Sequence, residues 1–143
     1  MSSPILGPAA VLVLWSIVVL FWMFITRMRA FSDAGIDLGS SEPGARYQDV
    51  ESQMPASANW KSHNFVHLME QPTLFYAVVA ILAIAGHGDG LNAMLAWGYV
   101  VLRILHSLWQ ALVNTVPVRL GLYILSTFFL LVLAVNAVRI TAL

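Results

Sequence analysis

Glu70 and Arg103 each interrupt a long apolar run. A carboxylate or guanidinium at the centre of a membrane helix costs about 2.5–3.5 kcal/mol, so such groups turn toward a bundle interior and are functional candidates by default. At about 100° per residue, His63, His67 and Glu70 fall within roughly 60° of one another on one helix, with Trp60 beside them. The same arithmetic places Tyr99, Arg103, Ser107, Gln110 and Asn114 on one face of the next helix, with His106 at its edge. Two opposed stripes that open toward one face favour a site between the helices. By depth along the chain Glu70 is shallower than Arg103, and His106 or Gln110 is at the better level to meet it. The competing reading is a buried polar network that only fixes helix packing.

Composition says where these stripes must operate. Of 143 residues, 59% are apolar and 10% charged, against about 25% charged in an ordinary soluble domain. The chain is a small integral membrane protein of one domain. Seven basic and seven acidic residues cancel, leaving no basic surface for phosphates and no nucleic-acid partner. Without cysteine there is no disulfide framework, thiolate zinc site or cysteine nucleophile. His63, His67, Glu70 and His106 are ligand types, but neither a His-Glu-x-x-His nor an eight-histidine pattern is present, so no metal is assigned. A metal or haem at His63, His67 and His106 is the minor alternative.

Four apolar runs, about 4–26, 65–86, 91–116 and 118–143, each match the roughly 20 residues that cross a bilayer. The first lacks a basic leading region and a small-residue cleavage pattern, which favours a span over a removable signal peptide. His87-Gly88-Asp89-Gly90 reads as a tight turn, and Pro117 fits the first turn of a new helix. The connection of about 27–61 is polar and punctuated by Gly35, Gly39, Pro43, Gly44 and Pro55, so it reads as a surface loop. The expected fold is all-α: a four-transmembrane-helix antiparallel bundle. Arg27, Arg29, Arg46, Lys61 and Arg119 lie on one side and Arg139 on the other, which puts the polar loops in the cytoplasm and both termini away from it. Trp22 and Trp60 sit near the interfaces, where aromatic belts are normal.

The stretch Asn64-Phe-Val-His-Leu-Met-Glu-Gln-Pro72, followed by Thr-Leu-Phe-Tyr76, resembles the second helix of the membrane-associated proteins in eicosanoid and glutathione metabolism, the MAPEG family. Glu70 to Tyr76 is similar to the Glu-x-Pro-x-Leu-Phe-Tyr run of bacterial members. Val101-Leu-Arg103-Ile-Leu-His106 resembles the family's third-helix signature, an Arg followed three positions later by Tyr or His. The resemblance covers nearly the whole chain. It implies a homotrimer of four-helix subunits in a bacterial inner membrane, with glutathione between subunits near the cytoplasmic face and an apolar electrophile entering from lipid. By position, Glu70 would hold the glutathione amino group, His67 would stand at the family's Asn, and Arg103 would contact the peptide or stabilise the thiolate as the catalytic residue. His106, on the same face, joins the binding set. His63 stands where glutathione-using members carry Arg, with Lys61 the nearby cation, and Gln110 where some carry Tyr. The implied activity is a glutathione-dependent transferase or peroxidase. The alternative is a non-catalytic structural or accessory subunit of a larger membrane complex, in which Glu70 and Arg103 only hold the fold.

Overall fold

The computed structural model describes residues 3–142. Its long helices are α1 (Leu6–Asp33), α3 (Ala56–Ile84), α4 (Gly90–Leu112) and α5 (Val116–Thr141), and a single helical turn, α2 (Tyr47–Val50), lies between the first two. All four long helices have the length and apolarity to cross a membrane, and no strand occurs among the described residues. The bundle matches the all-α, four-span expectation. Its boundaries differ from the apolar runs at one end. α1 continues past Thr26 to Asp33 and α3 begins at Ala56 rather than near 65. Hydropathy marks the hydrocarbon, whereas a helix already formed continues into polar surroundings because each added residue adds one backbone hydrogen bond. The non-helical part of the first connection shrinks accordingly, and two short 3-10 turns and α2 occupy much of it. The expected end of the last run at Leu143 lies outside the described residues.

α1 packs mainly on α3 and α5 mainly on α4, with α3 and α4 as the central pair. The outer helices use the same spacing. α1 buries Leu12, Ser16, Val19 and Met23, and α5 buries Ser126, Leu130, Leu133 and Ala137, one stripe recurring at helical period. The remaining faces carry large exposed apolar side chains such as Leu14, Phe21, Leu74, Ile84 and Phe128, as lipid contact requires. In the core, Phe75 of α3 stacks on Tyr99 of α4 with ring centres 4.3 Å apart. Gly98 lets α5 come close, since a Cβ there would run into the Phe129 ring; small residues at such crossings are how membrane helices gain packing.

Both tight joints end with a residue in the left-handed region. Gly86, at φ 76°, follows α3 while the His87 amide donates to the Leu82 carbonyl at 2.9 Å, the closure expected of glycine after a helix. After α4 the same task falls to Asn114, at φ 58°. Its amide donates to the Trp109 carbonyl at 2.7 Å, and its side-chain oxygen accepts from Arg119 at 2.7 Å. Asn114 is therefore a joint residue beyond the helix, and it leaves the polar face on which its spacing had put it.

Substituting Gly98→Val should destabilise the bundle by about 1–3 kcal/mol through overpacking against Phe129. Unfolding in mixed micelles with increasing dodecyl sulfate reads this out, and an unchanged midpoint would contradict the close approach of α4 and α5.

Candidate functional site

α3 and α4 are held in register by a ladder of polar contacts. Asn64 Nδ2 donates to Ser107 Oγ at 2.9 Å. One turn on, Arg103 Nη2 donates to the His67 carbonyl at 2.8 Å. One turn further, Tyr99 Oη donates to Gln71 Oε1 at 3.2 Å. Steps of three and four residues up α3 thus meet steps of four down α4, as antiparallel helices demand. Outer helices join the same ladder: Trp15 of α1 donates to Ser107 Oγ at 2.9 Å, and Gln71 donates to Thr127 of α5 at 2.8 Å. Pro72 lies in the middle of α3 and supplies no N–H to the Leu68 carbonyl, which loosens that turn. The adjacent carbonyl, that of His67, is the one that receives Arg103.

Arg103 is fully buried. Its guanidinium carbon lies 5.6 Å from the centre of the Tyr123 ring, and His106 lies 6.0 Å from both the His67 and the Tyr123 rings. Only Nη2 of the guanidinium is hydrogen-bonded: Nε and Nη1 are buried without a partner among the described residues. Gln110, two turns further along α4 and also fully buried, has both amide atoms unpaired, and so does Asn64 at Oδ1. Each unmade hydrogen bond on a buried polar atom costs about 1–3 kcal/mol, so these atoms, spread over two turns of α4, leave capacity for a polar molecule or ordered water. A network serving only to hold helices together would close on itself.

Glu70 is on the outside. Its side chain is 61% exposed, and its nearest charged neighbour is His67 Nδ1 at 3.6 Å, beyond hydrogen-bond reach. The sequence-based expectation that His106 or Gln110 would meet Glu70 does not hold, because Glu70 points out of the bundle while His106 and Gln110 are buried in it. Glu70 lies three residues beyond His67, whose carbonyl meets Arg103, and is therefore about 4.5 Å deeper than Arg103 at 1.5 Å per residue rather than shallower. It lies on the face opposite the core residues Leu68, Pro72 and Phe75. His63 points elsewhere again: its Nε2 pairs with the Glu51 carboxylate. The structure thus brings Arg103, His67 and His106 together, buries Gln110 two turns further along α4, leaves Glu70 on the adjacent outer face beside His67, and ties His63 to the loop.

Tyr123 and Glu51 were not foreseen. Tyr123 is embedded in the fourth apolar run, where a tyrosine reads as packing. Glu51 reaches His63 only because the loop folds back, which helical periodicity cannot register. Among the described residues no three metal-ligating side chains cluster: His63 is drawn away from His67 and His106.

The MAPEG family model matches residues 5–139. The chain belongs to the MAPEG family. No curated protein and no solved structure matches it. Family membership and the four apolar helices together make it an integral, multi-pass membrane protein of the glutathione and eicosanoid metabolism type. In this MAPEG protein Arg103 and His106 are buried between α3, α4 and α5, and the MAPEG match leaves out only the extreme ends of the chain.

Because Arg103 has no carboxylate partner, Arg103→Leu strands no opposite charge. Replacing buried ionic groups with well-packed apolar ones is often neutral or stabilising by about 1–4 kcal/mol, and that is the expected outcome for the unliganded protein in dodecyl sulfate unfolding. A loss of about 3–5 kcal/mol, the usual result of breaking a buried pair, would identify Arg103 as a structural strut.

Proposed function

We propose that this protein is a membrane-embedded glutathione-dependent transferase or peroxidase acting on an apolar electrophile, assembled as a homotrimer. The observation that carries the reading is the fully buried Arg103 with two unpaired guanidinium nitrogens, with the unpaired Gln110 amide two turns along the same face of α4. These donors suit the anionic and peptide groups of glutathione, and the exposed carboxylate of Glu70 suits its ammonium. Glutathione supplies the thiol nucleophile that a cysteine-free chain lacks. Arg103 is the catalytic residue: its charge, oriented by the His67 carbonyl, favours the thiolate over the thiol. His67 and His106 wall the site, and Gln110 offers one donor and one acceptor to the peptide. His63, engaged by Glu51, acts from the rim.

Glu70 also supports the trimer. A carboxylate exposed midway along a span costs about 2.5–3.5 kcal/mol in hydrocarbon, a penalty removed when a second copy covers it and a ligand ammonium pairs with it. The excess of Lys and Arg at the loop side supports a cytoplasmic position for that side. A groove of about 260 Å³ between α1 and α3, walled by Val13, Ile17, Leu20, Phe65 and Met69, offers an apolar approach from lipid. The accessory-subunit reading draws its support from His63, which replaces a family Arg and is already paired with Glu51.

Glutathione titrated into the detergent-solubilised protein should bind saturably, with binding lost in Glu70→Gln and Arg103→Leu while helicity by circular dichroism is retained. Absence of binding at millimolar glutathione would overturn the transferase reading in favour of the accessory one. Native mass spectrometry should give three copies of the 15.7 kDa chain.

A further inference from the structure

A second cavity lies away from Arg103. It lies at the loop side, where the segment after α1 folds back over that helix, and it measures about 530 Å³, within the range of small-molecule sites. Its apolar walls are Phe24, Met28 and Phe31 of α1, Leu38 of the loop and Val50 of α2. Arg27, Arg46 and Glu42 supply its charges. Arg27 is pinned in place: its Nε donates to Ser62 at 2.9 Å and its guanidinium lies 3.9 Å from the centre of the Tyr47 ring. The loop is anchored in turn, since Tyr47 Oη donates to Asn59 at 2.7 Å and Asn59 donates to the Glu51 carbonyl at 3.0 Å. No carboxylate among the described residues lies within ion-pair distance of Arg27 or Arg46.

Two features say what such a cavity takes. Leu38 lies outside the spans yet is 50% exposed, and Phe24, at the last apolar turn of α1, is 55% exposed. The cavity therefore runs from the hydrocarbon boundary into the loop, apolar along its length and cationic where the apolar run ends at Arg27. That is the pattern of an amphiphile lying with its chain toward lipid and its head at the interface. The size suits one chain, and Glu42 disfavours a head with more than one negative charge.

We propose that this cavity binds a single-chain amphiphile of the long-chain fatty-acid class, its carboxylate between Arg27 and Arg46 and its chain against Phe24, Met28, Phe31 and Leu38. The site is separate from the Arg103 cluster and does not depend on glutathione binding.

The test uses the full chain in phosphatidylcholine nanodiscs with a palmitate carrying a terminal diazirine, followed by peptide mapping after illumination. Adducts should concentrate in residues 24–50 and be competed by palmitate but not by its methyl ester. Arg46→Gln, which removes an exposed side chain, should lower labelling about tenfold, the equivalent of one charge-assisted hydrogen bond. Glu42→Gln should raise labelling, and Leu38→Trp, which fills the cavity, should abolish it. A phosphatidylglycerol carrying the same diazirine should label the segment less than palmitate does. Labelling spread evenly over the lipid-facing helices, equal competition by the methyl ester, or stronger labelling by the phospholipid would each overturn the proposal.

Discussion

A guanidinium enclosed by apolar helices has to be answered by something, and in this protein the answer is a backbone carbonyl. Arg103 donates to the His67 carbonyl at 2.8 Å, and the chemistry of the site depends on that bond. It is the middle rung between α3 and α4, with the Asn64–Ser107 and Gln71–Tyr99 contacts on either side holding the same register. A slip of one turn would leave all three pairs unmade in surroundings that offer no water. Because the bond uses only one of the guanidinium nitrogens and no opposite charge, it also leaves the site chemically unfinished.

The position of Pro72 belongs to the same logic. Within a helix a proline is a defect, since it removes a donor and crowds the preceding turn. In a membrane that defect is tolerated only where neighbouring groups satisfy the freed backbone. Here it stands next to the one carbonyl of α3 that receives a side chain from α4. Helix disruption and buried cation thus fall close together in the bundle, with the unpaired Gln110 amide two turns nearer the loop side, while the next level is closed by ordinary packing such as the Phe75 and Tyr99 stack.

The loop side is organised differently. Arg27, expected from sequence to be chiefly a topology signal, instead ties α1 to Ser62 of α3 and carries Tyr47 of the loop on its face. Around it Ala30, Phe31, Met54 and Ala58 form a small second core. A polar connection punctuated by glycine and proline has become a packed cap with its own cavity, because a few apolar residues scattered among polar ones suffice to bury one another once a helix end provides a floor.

How much of this was legible in the residues varies with the range of the interaction responsible. Four spans, their antiparallel order and the polar face of α4 follow from hydropathy, short joints and helical period. These are local properties, and Tyr99, Arg103, Ser107 and Gln110 are all buried as their spacing requires. Hydropathy reports the solvent around a helix and not its hydrogen bonds, so the apolar runs stop short of the helix ends on the loop side, and the relative depth of Glu70 and Arg103 follows only from the contacts between α3 and α4. The sequence by itself determined that charges lie inside the membrane and that any thiol must arrive with a ligand. Only the tertiary structure decided which charges meet: that Arg103 turns inward to a carbonyl, that Glu70 stays outside beside His67, and that His63 leaves them for Glu51. Periodicity gives the face of one helix at a time, whereas pairing depends on the relative height and rotation of two, and those are set by packing across the whole bundle.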